Sequence, residues 1–258
     1  MSSRHLPGRQ ELGQNFLKDR RTIRMVVDLV AATDGPIVEW AAGDGALTLP
    51  LAELRRPLEA VELDPRKAAR LQRNVGPHVC ITEGDILRHA PPSTTYTLVS
   101  SIPFHITTRV LQRILPMREW ETAILITQWE VARKRAGVGG ATQLTAQWWP
   151  WYDFILEQRI PSNAFSPRPS VDAGLLVIRR RQAPLLDGDH RDYQQWVRRV
   201  FTGRGRGVPE ILARSGGMSA RTVRTWCAQQ RVTYQTLPKD LTAGQWADAY
   251  RLATRRPE

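Results

Sequence analysis

The sequence is short of lysine, of cysteine and of long apolar runs, and each shortage removes a class of protein. Only four of its 37 basic side chains are lysines (Lys18, Lys67, Lys134 and Lys239); the other 33 are arginines. The two cysteines, Cys80 and Cys227, stand far apart in no metal-like spacing, and the five histidines do not gather around them. That pattern argues against a disulfide framework and offers no metal site. No apolar stretch approaches the roughly 20 residues that a membrane helix needs. The opening segment, Met1–Glu11, is polar and lacks the apolar core of a secretory signal. A cytoplasmic protein without a membrane partner is the expectation.

What is abundant is positive charge. The 258 residues carry a net +12. Arginine offers a planar fork of donors to phosphates and stacks on bases, so this balance fits a polyanionic partner. A GC-rich genome would also inflate the arginine count, and composition does not separate the two explanations.

Short apolar runs alternate with amphipathic stretches from about Asp34 to Ile178. Strands are expected at Pro36–Ala41, Leu58–Leu63, Val79–Thr82, Tyr96–Ser100 and Thr122–Thr127, with helical patterns between them and Pro65 opening one helix. Such alternation implies right-handed βαβ units and an α/β fold with a mostly parallel sheet. Phe154–Ile160 and Gly174–Arg180 read as a further strand pair that closes the sheet in antiparallel fashion. Past Gln182 the texture changes to helical periodicity, as in Tyr193, Trp196, Val197, Val200 and Phe201. Two domains are expected, 1–183 and 184–258, the second a small all-α unit with 13 basic and seven acidic residues.

Three acidic or glycine-bearing turns follow the first three strands. Glu39–Gly45 contains Ala41 and Gly43, where small residues let backbone approach a ligand. It is neither GxGxxG nor a P-loop. Glu62 ends the second strand, where an acid can accept from both ribose hydroxyls. Asp85 follows the third, where a carboxylate can accept from the exocyclic amine of adenine. Singly, each acid is an ordinary cap or a solvated charge; together they favour a nucleoside cofactor.

Ser100–Phe104, after the fourth strand, is similar to the (Asn/Asp/Ser)-x-Pro-(Tyr/Phe) motif of methyltransferases that act on exocyclic amines. An aromatic amine is nearly planar because its lone pair is delocalised. Hydrogen bonds from the amine to a side-chain oxygen and a backbone carbonyl draw the nitrogen toward tetrahedral geometry. Pro103 fixes the carbonyl before it, and Phe104 can stack on a base flipped out of its helix. A Ser-Pro turn capping the next helix is the plain alternative.

Taken together, Leu12–Leu17, Glu39–Gly45, Val61–Asp64, Glu83–Asp85, Ser101–Phe104, Thr127–Arg135, Leu144–Trp148, Phe165–Asp172 and Phe201–Gly207 resemble the erythromycin-resistance (Erm) 23S ribosomal RNA adenine-N6 methyltransferases over nearly the whole chain. The resemblance implies a class I Rossmann-like fold with a seven-stranded, mostly parallel sheet, S-adenosyl-L-methionine as cofactor, protein-free or nascent 23S ribosomal RNA as partner, and a monomer. It implies that Asn15, Leu17, Ala41, Gly43, Glu62, Leu63, Asp85, Ile86 and Ser101 hold the cofactor. Ser101, Ile102, Pro103 and Phe104 serve the chemistry, and Phe165 closes the other side of the base. The family usually has glycine where Ala41 stands and often asparagine where Ser101 stands, which bears on dimethylation more than on methylation.

For the RNA, Arg133, Lys134 and Arg135 form either a backbone-gripping loop or a solvated charge run. Arg20, Arg21 and Arg24 flank the N-terminal motif, and Arg204 and Arg206 fall in a glycine turn suited to phosphate. Trp148, Trp149 and Trp151 read as packing residues. Two other functions stay open: a 16S ribosomal RNA adenine dimethyltransferase of ribosome assembly, and an RNA-binding factor that has lost catalysis.

Overall fold

The computed structural model describes residues 15–255. Leu12–Gln14, the start of the N-terminal motif, lie outside them.

The described residues open with a short strand β1 (Phe16–Leu17) and helix α1 (Arg20–Ala31). Asp19 caps α1, its carboxylate accepting from Thr22 N–H at 2.8 Å and the Thr22 hydroxyl at 2.7 Å. Thr22, Val26 and Val30 recur at helical spacing and form its buried stripe. Then follow β2 (Ile37–Trp40), α2 (Thr48–Ala52), β3 (Leu58–Glu62), α3 (Pro65–Gln72), β4 (Val79–Glu83) and β5 (Tyr96–Ser101). Asp64 caps α3 and Pro65 occupies its first turn. Next come α4 (Thr107–Ile114), β6 (Trp120–Gln128), α5 (Trp129–Arg135), α6 (Gln143–Trp148), β7 (Tyr152–Ile160), β8 (Phe165–Ser166) and β9 (Ala173–Arg180). Four α-helices complete the described residues: α7 (His190–Phe201), α8 (Val208–Ser215), α9 (Ala220–Gln230) and α10 (Ala243–Thr254).

Seven strands form one sheet in the order β4-β3-β2-β5-β6-β9-β7. The pairs β3–β4, β2–β3, β2–β5 and β5–β6 are parallel, and β9 joins β6 in antiparallel register. The α/β class with a mostly parallel seven-stranded sheet and a helical C-terminal region is the expected one. All four residues of β2 are buried, as a central strand covered on both faces requires. Strand order reverses between β2 and β5, so their carboxyl ends open the crevice where such sheets bind ligands. The buried Ser100 hydroxyl donates to the Trp40 carbonyl at 2.8 Å and stitches the two strands there.

Contacts divide the chain into two compact units. One comprises Met1–Ala132 with Ile155–Arg179; the other comprises Arg133–Phe154 with Arg180–Glu258. Residues 133–154 therefore group with the helical tail, which a single boundary at 183 does not express. The reason is aromatic. Trp148 and Trp151 are buried, and the rings of Trp151 and His190 lie 4.2 Å apart, those of Trp151 and Tyr193 5.4 Å. The Tyr193 hydroxyl donates to the Ala146 carbonyl at 2.9 Å. Phe201 stacks on Trp246 at 5.5 Å, and Trp196 meets Trp246 edge-on.

Candidate active site

The turns after β2, β3, β4 and β5 meet in one cleft. One lobe is lined by Asn15, Phe16, Leu17, Glu39, Ala41, Gly43, Glu62, Ser101, Ile102, Phe104 and Phe165, among others. A second lobe shares Ala41, Glu62 and Pro103 and adds Leu63, Asp85, Ile86, His105 and Arg109. Every cofactor and chemistry position expected from the sequence lines one lobe or the other.

The β2 turn is a left-handed bend. Ala41 has φ 62° and Gly43 φ 60°. Glycine adopts this region with the least strain, so the methyl group of Ala41 is carried at a backbone cost. A side-chain carbon on Gly43 would sit 3.3 Å from the Phe16 ring, so the N-terminal strand covers the turn closely. Lys67 places its ammonium 4.1 Å from the centre of that ring, and Arg70 pairs with Asp44.

The buried Glu62 carboxylate is shared between two loops. One oxygen accepts from Gly43 N–H at 2.7 Å, the other from Asp64 N–H at 2.9 Å. Each oxygen keeps a second lone pair for a ligand. Asp85 caps its own turn through Leu87 N–H at 2.9 Å, and its other oxygen is 4.0 Å from the Arg88 guanidinium. Leu63, beside Glu62, leaves an apolar side chain 54% exposed at the edge of the second lobe. An exposed leucine between two carboxylates suits a flat nucleobase with ribose hydroxyls beside it. On that ground the residues fit S-adenosylmethionine.

Glu39 opens the Glu39–Gly45 motif, yet its sequence position assigns it no site role. It is 2% exposed, lines the first lobe, and leaves one carboxylate oxygen with no hydrogen bond. Burial pushes its carboxyl up to about 8. The Thr48 hydroxyl lies close enough to oppose the shift without reaching hydrogen-bond geometry, and the neighbouring Glu62 carboxylate adds to it. Phe16, between Asn15 and Leu17, also lines the first lobe, and the sequence reading assigns it no role. His105, in the turn before α4, and Arg109, on α4, line the second lobe and carry no motif signal.

The loop after β5 is held from three sides. Ile102 N–H donates to the Ile126 carbonyl at 3.0 Å, and Ile106 N–H to the Pro103 carbonyl at 3.0 Å. The Thr107 hydroxyl bridges the Phe104 carbonyl at 3.2 Å and the Thr127 hydroxyl at 2.9 Å. Phe104 is half-buried at the cleft, and the buried Phe165 meets it edge-on, with ring centres 6.5 Å apart and planes at 72°. Phe165 reaches the cleft because β8 pairs antiparallel with β1, Leu17 opposite Phe165. Asp172 anchors that loop, accepting from Ser162 N–H at 2.8 Å and Arg159 at 2.9 Å. The Ser162 hydrogen bond, and then Arg159, hold its carboxyl below the usual range against its desolvation.

The basic residues are distributed unevenly. Lys134 is exposed at the end of α5. Arg135 turns inward to the Thr142 hydroxyl, and its Nε is buried without a partner. Arg133 folds over its own loop, 3.4 Å from the Val138 carbonyl. Arg20, Arg21 and Arg24 are exposed on α1, and Arg204 and Arg206 on the turn before α8. No described helix is long and apolar enough to cross a membrane.

The family described as ribosomal RNA adenine dimethylase matches residues 6–255. The chain is 50% identical to the mycinamicin-resistance protein MyrB of Micromonospora griseorubida, over 95% of this chain and 79% of that one. It is 47% identical to an rRNA adenine N-6-methyltransferase of Corynebacterium diphtheriae, over 81% and 83% of the two chains. The crystal structure of the 23S rRNA methyltransferase ErmE superposes with a TM-score of 0.86 at 30% identity, covering 93% of this chain and all of that one.

Proposed function

The chain belongs to the ribosomal RNA adenine dimethylase family, and from that premise we propose that it methylates N6 of one adenine in 23S ribosomal RNA. The cellular result is resistance to macrolide, lincosamide and streptogramin B drugs, whose pocket a methylated adenine obstructs. The carrying observation is the convergence of the Ser101–Phe104 loop and the Glu62-centred turns on one cleft at the strand-order switch.

S-adenosylmethionine, when bound, supplies an electrophilic methyl group on a sulfonium. Glu62, Asp85, Leu63 and Ile86 hold its nucleoside, and Asn15, Leu17, Ala41 and Gly43 line its amino-acid end. The Ser101 hydroxyl and the Ile102 carbonyl accept hydrogen bonds from the target amine. They turn its lone pair out of the ring plane. Phe104 stacks on the flipped adenine, and Phe165, set edge-on, fixes the tilt of the Phe104 ring. The amine's surplus proton leaves to solvent after transfer, so positioning carries much of the rate. Lys134, Arg204, Arg206 and the arginines of α1 meet phosphates and set the register of a looped, protein-free RNA. Arg133 and Arg135 shape the connection behind Lys134. The chain acts as a monomer in the cytoplasm.

The test uses the purified protein, labelled S-adenosylmethionine and protein-free 23S and 16S ribosomal RNA in parallel. Label in 23S RNA as N6-methyl- or N6,N6-dimethyladenosine is the expected outcome, and the ratio of the two products reads the effect of Ser101. Label confined to 16S RNA would move the enzyme to ribosome assembly. Bound cofactor with no label in either RNA would make it a binding factor.

A further inference from the structure

The most exposed large apolar side chain of the described residues is Tyr234, at 76%. It does not lie in the cleft. It sits in the helical unit, at the corner of a turn from Thr233 to Thr236 between α9 and α10.

That turn is clamped at its base. Thr236 N–H donates to the Thr233 carbonyl at 3.1 Å, and Thr233 N–H to the Thr236 hydroxyl at 3.0 Å. Gln235 N–H reaches the Thr233 hydroxyl at 3.3 Å. A second turn, Gly203–Gly207, presses against it. Val208 N–H donates to the Thr236 carbonyl at 2.8 Å, and a side-chain carbon on Gly207 would stand 2.1 Å from the Tyr234 carbonyl oxygen. Only glycine permits that approach. At Gly203 and Gly205 an added carbon would strike Ile211, so those positions face α8. Arg204 and Arg206 alternate with them and are exposed. Arg206 is one peptide, about 3.8 Å between Cα atoms, from the glycine that touches the Tyr234 backbone.

An exposed aromatic ring on a hydrogen-bonded corner, with two exposed arginines on the turn packed against that corner's backbone, has the two parts of a single-strand nucleic-acid contact: a stacking face and cations for the flanking phosphates. A packing role is absent, because the ring is in solvent. We propose that Tyr234 stacks on an unpaired base of the substrate RNA while Arg206 and Arg204 take the adjoining phosphates. This makes the Gly203–Gly207 and Thr233–Thr236 turns a second RNA-reading surface, separate from the flipped-base cleft. It rests on the ribosomal RNA reading above.

The test is made on the full chain with protein-free 23S ribosomal RNA. Tyr234→Ala should raise the RNA Kd and the KM for RNA about tenfold, the usual worth of one stacked base. The kcat at saturating RNA, the affinity for S-adenosylmethionine and the melting temperature should stay at wild-type values. Tyr234→Phe should behave as wild type, and Tyr234→Leu should be as weak as alanine, because planarity is what counts. Arg206→Ala should lower the slope of log Kd against log salt by about one, whereas Tyr234→Ala should leave it unchanged. Wild-type RNA affinity in Tyr234→Ala, or rescue by leucine, would overturn the inference. Failure of the wild-type protein to methylate 23S RNA would overturn the functional reading instead, and the Kd comparison would still decide the role of Tyr234.

Discussion

The cleft of the sheet unit and the paired turns of the helical unit solve opposite problems. In the cleft, polar groups are already committed to the chain. Glu62 holds two loop amides, Asp85 holds one, and Ile102 N–H is spent on Ile126. A ligand there meets groups whose positions are fixed before it arrives, at the cost of burying Glu39 with an oxygen unpaired. At the helical unit's turns the backbone is equally rigid, yet Tyr234, Arg204 and Arg206 face solvent. Rigid backbone with free side chains suits a large partner gripped by charge and stacking. The difference teaches that losing the Phe104 ring in the cleft acts on kcat, whereas losing the exposed Tyr234, Arg204 or Arg206 side chains in the turns acts on RNA affinity; the buried or strained positions of either region, Glu39, Ala41 and Gly207, act on stability.

Phe104→Ala tests the first half of that statement hardest. Loss of the stacking ring should lower kcat about a hundredfold or more, as a misplaced reacting group does, with S-adenosylmethionine affinity within twofold of wild type by calorimetry. Wild-type turnover would remove Phe104 from the chemistry. Glu39→Gln tests the energetic cost of the cleft. In the unfolded chain this carboxyl titrates near 4.5, in the folded one near 8. Below about pH 4.5 both states hold the proton. From there to about pH 8 the unfolded state binds fewer protons, so folding stability from this group falls as pH rises, and above 8 the loss is constant. The glutamine variant should therefore be more stable than wild type by a few kcal/mol at pH 8.5, with the gain vanishing below pH 5. Urea titrations at both pH values give the answer; a gain independent of pH would mean that Glu39 is not buried as an acid.

The helical unit should break differently. Gly207→Ala forces a carbon into the Tyr234 carbonyl and should cost about 2 kcal/mol in unfolding free energy. A variant with unchanged stability would show that the two turns do not press together.

Much of the sheet unit was legible in the sequence because both of its signals are local. Runs such as Tyr96–Ser100 and Thr122–Thr127 alternate with helical patterns, and the acids fall at strand ends, so β5, β6 and the cleft followed from spacing. The ribbon of β1 and β8 was not legible. Its two-residue strands are too short to show a period, and Leu17 meets Phe165 across almost the whole unit's sequence. Arg135 also escaped, because a charge run reads as a surface when only neighbours in sequence are seen. Its inward turn depends on Thr142, seven residues on. Tyr234 gave no signal for a related reason. Exposure is a property of the packed chain, and a lone tyrosine between threonines resembles any loop.

The smallest effect, and the sharpest test of strain in the cleft, is Ala41→Gly. At φ 62° the alanine carries a left-handed backbone that costs about 1–2 kcal/mol relative to its preferred regions. Glycine removes that cost but gives the unfolded chain more freedom, which takes back about 0.4–1 kcal/mol. The net gain is then between about 0 and about 1.6 kcal/mol, a rise of up to about 6 °C in melting temperature for a chain of this size. Ala41 also lines both lobes of the cleft, and glycine there lacks its methyl group. Its removal should leave S-adenosylmethionine affinity equal or better, and turnover on 23S RNA unchanged within about twofold. A fall in melting temperature would mean that the bend is held so firmly by Glu62 and Gly43 that the alanine feels no strain. A fall in cofactor affinity would mean that the methyl group is a contact and not an intrusion.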